Sequence, residues 1–579
     1  MSDGAAAVRD ALRDARRSLA GAAVLSAAVN ILMLAGPLYM LQVYDRVLTS
    51  RSVPTLAALT IVLVGAYVFQ AFLDAVRSRI IARSAALIDE RLRKLAYLAV
   101  LRFGAHSNTP PGGHQPVREL DNIRAFMTAT GPIAIMDLPW IPVFLALCFL
   151  IHPVLGLLSL AGAGILLVIA IVERATREPA RQIAGQSANR AAALEAGRRS
   201  SEVVAAMGMT GALNERWASV DERFLIGSQR AADIVSKYSS ISKGARLLLQ
   251  SAILGAGAYL VIGQELTAGS MIAASIMMGR ALAPVETAVA NWRTFVTARQ
   301  SIGRLSKSLS SGNSESCDTH LPAPERQLSV VQAAVSAPGR QSVLVSGISF
   351  ELGSGDALGI IGPSGAGKTS LLRALVGVWK PAKGFIRLDG ATLDQWDPEK
   401  LGSFIGYVPQ DSGLFDGTIS ENIARMDGRP DSSLVLAAAK NAGAHEMILR
   451  MPAGYDTRIG ETGLALSAGQ RQRVALARAL YRDPFLIALD EPAANLDQEG
   501  ELALQRAIRA AKARGAIVIL IAHRPSALAE CNKVLVLTNG LQQAFGNRDE
   551  ILPKVMPTRA ASESVHALRV MERKSGWSK

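Results

Sequence analysis

The chain has 579 residues, of which half are hydrophobic and 19% are charged, and its formal net charge is +14. This length is too great for one hydrophobic core, so at least two domains are expected, and the apolar composition argues against a wholly soluble protein. The positive charge is typical of cytoplasmic segments that flank membrane spans, and because no basic stripe is interleaved with aromatic residues, nucleic acid is not expected as a partner.

The amino terminus and the cysteines exclude further classes of protein. Residues 1–17 are polar and mixed in charge, and the apolar stretch that follows is too long for the core of a signal peptide. We therefore expect neither a cleavable signal nor an additional domain before the first span. Cys148, Cys317 and Cys531 are widely separated and form no CxxC pair, which argues against a disulfide framework or a cysteine metal site.

Charge-poor stretches in roughly the first 300 residues predict six membrane spans, since about 20 apolar residues suffice to cross a bilayer. The spans are predicted at 18–44, at 52–73, in the two halves of 138–172, at 247–264 and at 268–289. The run 138–172 is divided by the IHP at 151–153, which we interpret as the tight turn between spans three and four.

The predicted orientation follows from the charges. Four arginines precede the first span and should remain in the cytoplasm: Arg9, Arg13, Arg16 and Arg17. Six spans then return the chain to the cytoplasm. The inner segments 74–127 and 173–246 are long and rich in Ala, Leu, Arg and Glu, so they are expected to continue as helices beyond the membrane. Breaks at 106–116 and 207–213 are candidate turns that could press on a cytoplasmic partner.

Two charges fall within the predicted spans. Asp137 and Arg280 are costly in hydrocarbon, so we expect them to face the bundle interior or an aqueous cavity. A charge near a helix end, or a misplaced span, is the simpler alternative, and a role in lining an internal path stays open. The predicted organisation is a six-span domain at 1–304, a Ser- and Pro-rich linker at 305–327, a nucleotide-binding domain at 328–555 and a basic tail at 556–579.

A glycine-rich loop, GPSGAGKTS, follows an apolar strand at 358–361 and precedes a segment with helical spacing. This is the context that a phosphate-binding P-loop requires. Its glycines let backbone N–H groups surround phosphates, Lys368 is expected to reach the β- and γ-phosphates, and Thr369 to ligate Mg²⁺. The candidate phosphate-binding residues are Gly362, Pro363, Ser364, Gly365, Ala366, Gly367, Lys368, Thr369 and Ser370.

A second apolar strand, 485–489, ends in two acids. Asp490 is placed to contact Mg²⁺, and Glu491 to polarise an attacking water as a general base. Two solvated acids at a strand end are the simpler alternative, which the P-loop upstream makes weaker. Between the two motifs, LSAGQRQRVALARAL at 466–480 begins with a small-residue turn, where Ser467 and Gly469 can donate hydrogen bonds to an anion. Because the P-loop already binds one phosphate group, this turn indicates a different nucleotide.

The order of motifs GPSGAGKT, VPQD, LSAGQ, FLIALDEP, ANLD and AH resembles that of an ATP-binding cassette (ABC) domain. The resemblance implies a fold class of an all-α transmembrane domain with six helices of the ABC exporter type, fused to an α/β P-loop ATPase, with ATP and Mg²⁺ as cofactors. It implies that Gln410 senses Mg²⁺ and the γ-phosphate. Ser467, Gly469 and Gln470 match the signature motif, which covers the nucleotide of a second identical subunit.

Further matches follow from the same resemblance. Asp497 resembles the D-loop aspartate and His523 the switch histidine near the γ-phosphate, while RIGETG at 458–463 resembles a segment that exporters use to contact the partner's membrane domain. One departure concerns adenine: the region VVQAAVSAPGRQS lacks the aromatic residue that usually stacks on the base. We therefore predict weak discrimination between ATP and GTP.

The membrane half narrows the resemblance. PLYMLQVYDRVLTSRSVPTLAALT at 37–60 and MDLPWIPVFLALCFLIHPVLG at 136–156 are similar to type I secretion permease/ATPases of the alkaline-protease exporter type. Such proteins lie in the bacterial inner membrane, in contact with lipid. The resemblance implies export of unfolded proteins with an uncleaved C-terminal signal, together with a periplasmic membrane-fusion adaptor and an outer-membrane channel.

Three alternatives are weighed against this interpretation. An ABC exporter of lipids, drugs or other small molecules would share the architecture and is the nearest alternative. A soluble cassette protein acting on DNA or ribosomes conflicts with six charge-poor spans. A nucleotide-gated scaffold without turnover conflicts with the presence of Glu491 and His523.

Overall fold

A computed structural model describes residues 3–106, 116–162, 164–310, 321–339, 342–460, 465–522 and 525–555. The chain divides into two compact units, one within residues 1–313 apart from 105–108, and one within 314–579.

The first unit is built of helices. Their bounds are α1 (Asp3–Leu32), α2 (Ala35–Gln42), α3 (Leu48–Ser50), α4 (Val53–His106), α5 (Pro116–Thr128), α6 (Gly131–Asp137), α7 (Ile141–Ile151), α8 (Pro153–Gly162), α9 (Gly164–Arg199), α10 (Ser201–Ala206), α11 (Thr210–Ile262), α12 (Ala268–Ala290) and α13 (Trp292–Ser310). A π-helical turn at Val43–Val47 and a 3₁₀ turn at Leu138–Trp140 interrupt the first and third spans.

Helices long and apolar enough to cross a membrane occupy five of the predicted span regions. Among the described residues, these helices are Ala6–Ser50, Val53–Leu101, Gly131–Ile151, Thr210–Ile262 and Ala268–Ala290. The remaining predicted span, in the second half of 138–172, consists of α8 and the start of α9 on either side of residue 163, which lies outside the described residues. The helical membrane domain expected from the sequence is thus confirmed.

The inner segments are helical over their described residues. Helix α4 has 54 residues, which corresponds to about 80 Å at 1.5 Å per residue, far more than a bilayer requires. Helix α11 is almost as long, at 53 residues. The predicted break at 207–213 begins with a turn at 207–209, where Gly208 has a φ of 64°. Most of the other predicted break, 107–115, lies outside the described residues.

The two intramembrane charges have different environments. Asp137 is buried, and its Oδ1 accepts hydrogen bonds from Ser26 Oγ (2.9 Å), Asn30 Nδ2 (2.8 Å) and Arg77 Nη1 (3.0 Å). Arg77 is itself only 3% exposed, so a buried ion pair joins α4 to α6, and the hydrogen bonds from Ser26 and Asn30 connect α1 to it. Asp137 therefore faces the bundle interior, as expected, whereas Arg280 lies on the exposed side of α12 in this single chain.

The predicted start of the linker at residue 305 is wrong, because the helix before it continues to Ser310. Residues 305–310 belong to α13, in which Leu305 and Leu309 are buried. These leucines are four residues apart, so they lie on one face of the helix and pack in a cluster with Val8, Leu92 and Leu120. The Ser- and Lys-rich composition concealed this helical periodicity.

The second unit contains one twisted sheet with helices on its faces. Its strands are β1 (Gln327–Ser336), β2 (Val343–Gly353), β3 (Ala357–Ile361), β4 (Lys383–Leu388), β5 (Ala391–Thr392), β6 (Ile405–Val408), β7 (Leu486–Asp490), β8 (Ile517–Ile521), β9 (Lys533–Thr538) and β10 (Leu541–Asn547). The helices are α14 (Lys368–Leu375), α15 (Pro398–Phe404), α16 (Ile419–Ile423), α17 (Ser432–Asn441), α18 (His445–Leu449), α19 (Ala468–Leu480), α20 (Gln498–Ala513) and α21 (Arg548–Val555).

The sheet order is β5-β4-β1-β2-β10-β9-β3-β8-β7-β6. Strands β9, β3, β8, β7 and β6 are mutually parallel, while β1, β2, β4 and β5 pair antiparallel. Every residue of β3, β7 and β8 is buried, because hydrophobic clusters cover both faces of the sheet. The carboxyl ends of β3, β7, β8 and β6 therefore share one edge, which is where ligands bind in open parallel sheets.

Candidate nucleotide-binding site

The P-loop connects the end of β3 to the start of α14. A Cβ on Gly362 would lie 2.1 Å from the carbonyl oxygen of Leu537, and one on Gly367 would lie 2.4 Å from Val345 Cγ2, with Gly367 at a φ of 91°. Both positions therefore require glycine, for close approach to the neighbouring strands and, at Gly367, for the backbone angle. The helix that follows directs its first N–H groups toward the loop, an arrangement that favours an anion.

Lys368 is the first residue of α14 and is largely buried. Its Nζ donates hydrogen bonds to the carbonyl oxygens of Gly362 (2.8 Å) and Pro363 (3.0 Å), so the ammonium lies over the loop. Burial lowers the pKa of Lys368, and the opposing charges of Glu491 and Asp490 partly offset that effect. The lysine is thus desolvated and close to both acids, as a phosphate-binding lysine would be.

Asp490 ends β7, two strands away from β3 in the sheet. Its Oδ1 accepts a hydrogen bond from Thr369 Oγ1 at 3.3 Å, while its Oδ2 is buried and has no hydrogen-bond partner among the described residues. Burial raises the pKa of the Asp490 carboxyl group, and the negative charge of Glu491 raises it further. A buried carboxylate oxygen left without a partner calls for an explanation. Beside a hydroxyl group, it provides the oxygen ligands that Mg²⁺ prefers.

Glu491 follows directly at the edge of the sheet. Its backbone has a φ of 50°, and its N–H donates to the carbonyl oxygen of Ile521 at 3.1 Å. A positive φ is uncommon for a residue other than glycine, and such strain persists only where the surrounding structure imposes it. The strand pairing of β7 with β8 thus places Glu491 in a restricted backbone conformation, next to the acid that faces Thr369.

Gln410 lies two residues beyond β6 and is exposed. Because β6 pairs in parallel with β7, Gln410 lies at the same edge of the sheet as Asp490. His523 was predicted to follow β8 at this edge, but it lies outside the described residues, as do residues 461–464 of the predicted RIGETG segment.

The predicted signature turn is the amino-terminal cap of α19. Ser467 Oγ accepts a hydrogen bond from Gln470 N (3.3 Å), and Gln470 Oε1 accepts one from Ser467 N (2.9 Å), which forms a capping box. A Cβ on Gly469 would lie 2.8 Å from the carbonyl oxygen of Asn495. The glycine therefore permits direct backbone contact with the loop that follows Glu491.

Asp497 caps the next helix, α20. Its Oδ1 accepts hydrogen bonds from Gly500 N (2.9 Å) and from Arg473 Nη2 (2.5 Å). The hydrogen bond from Gly500 and the ion pair with Arg473 lower the pKa of Asp497. Within a single chain, Asp497 thus joins α20 to α19, and no contact described here places it near a phosphate group.

Two polar residues of this region, Gln472 and Asn495, were missed by the sequence analysis. Gln472 is 2% exposed and bonds to Asn495 and to the backbone of Glu491. A glutamine in the second turn of an amphipathic helix is usually solvated, so the residue type did not indicate that Gln472 is buried. Only the position of α19 against the loop 491–497 makes it a buried polar contact.

Comparison with known proteins identifies the family of this chain. The family model of the ABC transporter matches residues 345–494, and that of the ABC transporter transmembrane region matches residues 19–283. The chain is 45% identical to the type I secretion system ATP-binding protein PrsD of Rhizobium meliloti, over 97% of this chain and 96% of that protein. It is 30% identical to the leukotoxin translocation ATP-binding protein LktB of Mannheimia haemolytica, over 91% of this chain and 75% of that protein.

A solved structure supports the fold. The structure of a bacterial Atm1-family ABC exporter with ATP bound matches 95% of this chain and 98% of its own length, with a TM-score of 0.80 at 23% identity. The protein is thus a multi-pass protein of the bacterial inner membrane with a cytoplasmic ATP-binding domain, and its ATPase activity is coupled to transport. From end to end, the chain belongs to the type I secretion branch of the ABC transporter family.

Proposed function

We propose that this protein uses ATP to move unfolded polypeptides with a C-terminal secretion signal across the inner membrane. The observation that carries this proposal is the 45% identity to a type I secretion ATP-binding protein over 97% of the chain, which includes both the membrane unit and the nucleotide site. Its partners would be a periplasmic membrane-fusion adaptor and an outer-membrane channel, with membrane lipid around the spans and no nucleic acid.

The site residues have the following proposed roles. The P-loop, 362–370, and Lys368 bind the phosphates of ATP, and positive charge at Lys368 stabilises the charge that develops during phosphoryl transfer. Thr369, Asp490 and Gln410 would hold Mg²⁺, which neutralises phosphate charge when bound. Glu491 accepts a proton from the attacking water, and His523 acts near the γ-phosphate.

The working unit is proposed to be a homodimer with twelve spans. Ser467, Gly469, Gln470 and Asp497 would complete the nucleotide site of the second subunit, since a helix amino terminus favours an anion and the chain carries one cassette. Two ATP molecules would close the dimer and hydrolysis would open it. Both sites contain Glu491, so both are expected to turn over.

The experiment uses the purified full chain in proteoliposomes and measures phosphate release. The probe is the C-terminal segment of a secreted protein that carries an uncleaved C-terminal signal, compared with the same segment in reversed sequence and with a panel of lipids and hydrophobic drugs. Modulation of the ATPase rate by the C-terminal segment alone is expected. Modulation by the lipids or drugs alone would assign the protein to small-molecule export, and an ATPase-inactive chain would contradict the proposal.

A further inference from the structure

Three successive contacts join the start of α19 to the loop 491–497. Gly469 lies against the backbone of Asn495, Gln472 bonds to Glu491 and Asn495, and Arg473 forms the 2.5 Å ion pair with Asp497. They are spaced along the first two turns of α19, so the signature helix and this loop are connected as one body within each chain.

Gln472 is the central contact. Its Nε2 donates to the carbonyl oxygen of Glu491 at 3.4 Å, and its Oε1 accepts from Asn495 Nδ2 at 3.1 Å. The side chain is almost completely buried. An amide has both a donor and an acceptor end, and here each end is used by a different residue of the loop.

The backbone of Glu491 is the part of the site most sensitive to such a contact. Its φ is 50°, and it precedes Pro492, which restricts the preceding residue further. The carbonyl group bonded to Gln472 belongs to the same residue as the carboxylate proposed as the base. A change in the position of α19 would therefore alter the peptide plane of Glu491 and with it the direction of its side chain.

Resting on the proposed homodimer, we propose that Gln472 is a positioning residue that couples the signature turn to the glutamate of its own chain. The signature turn of one subunit contacts the nucleotide of its partner. Gln472 then conveys the position of that turn to Glu491, which acts on the nucleotide held by its own P-loop. The position of Glu491 at one site therefore depends on whether nucleotide is bound at the other site.

The test uses the full-length chain in proteoliposomes. Gln472→Met keeps the length of the side chain and removes both hydrogen bonds, whereas Gln472→Glu keeps the acceptor for Asn495 and loses the donor to Glu491. Gln543→Met, at an exposed position of β10, is the matched control. We expect both Gln472 variants to lose about tenfold or more in kcat, as expected when a general base is misaligned. Their Kd for ATP, measured without turnover, should stay within about twofold of the wild type, and the Hill coefficient for ATP should fall toward one.

Mixed dimers make the test sharper. One subunit carries Glu491→Gln, so turnover depends on the Glu491 of the other subunit. Placing Gln472→Met in the subunit with intact Glu491 should reduce turnover, whereas placing it in the Glu491→Gln subunit should not. Equal loss in both placements would show that the substitution damages the signature helix itself and would overturn the proposal.

Other results also decide the matter. An unchanged kcat in both variants, or parallel loss of kcat, ATP binding and Tm, would overturn the positioning role, as would failure of both variants to fold. Wild-type chain that hydrolyses no ATP would instead contradict the proposed function. The two failures are therefore distinguishable.

Discussion

Thr369 Oγ1 lies 3.3 Å from Asp490 Oδ1, which joins the first turn of α14 to the end of β7. The two residues are 121 positions apart in the chain. They meet because β3 and β7 both pair with β8, so the loop after β3 and the acid at the end of β7 lie at one edge of the sheet. Glu491 follows next in sequence, so the candidate metal ligands and the candidate general base lie together at this edge.

Replacing Glu491 by Gln should abolish steady-state phosphate release and leave ATP binding intact, because the amide keeps the shape of the side chain but cannot accept the proton of water. The loss in kcat is expected to be about 10²- to 10⁴-fold. The variant should accumulate as a closed dimer with ATP bound, measurable by cross-linking across the two cassettes. Glu499→Gln, an exposed change in the first turn of α20, is the control. Substantial turnover by the Glu491 variant would remove Glu491 from the proposed role.

Asp490→Asn should distinguish the role of Asp490 in Mg²⁺ binding from its effect on the stability of the folded unit. Because burial raises the pKa of Asp490, its ionised form is disfavoured in the folded unit, so in the absence of Mg²⁺ and nucleotide the contribution of this residue to stability should be greatest at low pH. That contribution is lost as pH rises through the raised pKa.

At neutral pH without Mg²⁺, the Asp490 variant should therefore unfold at the same temperature as the wild type or higher. Addition of Mg²⁺ and ATP should raise the Tm of the wild type but not that of the variant, with Asp394→Asn, at an exposed position, as the control. Equal stabilisation of the variant by Mg²⁺ and ATP would contradict a metal-binding role for Asp490.

The buried pair Arg77–Asp137 should stabilise the membrane unit as a pair rather than as separate charges. Arg77→Ala leaves a buried carboxylate without its partner and should lower the free energy of unfolding by about 3–5 kcal/mol. Arg77→Met combined with Asp137→Leu should recover most of that loss, since it removes both charges. Thermal unfolding in detergent measures both, with the exposed Arg79→Met as control. Additive losses in the double variant would show that the pairing contributes little.

Nucleotide selectivity should be weak. The described residues between β1 and β2, which include Ala337 and Pro338, provide no aromatic ring for adenine. A stacked aromatic pair contributes only about 0.5–1.5 kcal/mol. GTP should therefore compete with ATP within roughly tenfold in a competition assay of ATPase activity. Lys368→Ala, which removes phosphate binding, provides the baseline. A much stronger preference for ATP would indicate base contacts that the sequence does not reveal.

Much of this architecture follows from local patterns in the sequence. Charge-free stretches of about 20 residues indicate spans because a helix pairs its own backbone N–H and C=O groups while its apolar side chains face the lipid. The P-loop is recognisable because GPSGAGKTS stands between an apolar strand and a segment with helical spacing. An acid at the end of an apolar strand, Asp490, is likewise a local signal. Leu305 and Leu309 show the limit of composition, since their periodicity outweighed the polar residues around them.

Other features depend on long-range packing. Arg77 becomes the partner of Asp137 only when α4 packs beside α6, 60 positions later in the chain, and Gln472 becomes buried only when α19 packs against the loop 491–497. A solvated glutamine or arginine and a buried, hydrogen-bonded one have the same sequence signature. The sequence alone therefore determined which segments are long and apolar enough to span a membrane and which loop is the candidate for phosphate binding, because those are local properties of the chain. The tertiary structure decided which polar side chains lie buried against each other, because burial and hydrogen-bond pairing arise only when distant segments pack together.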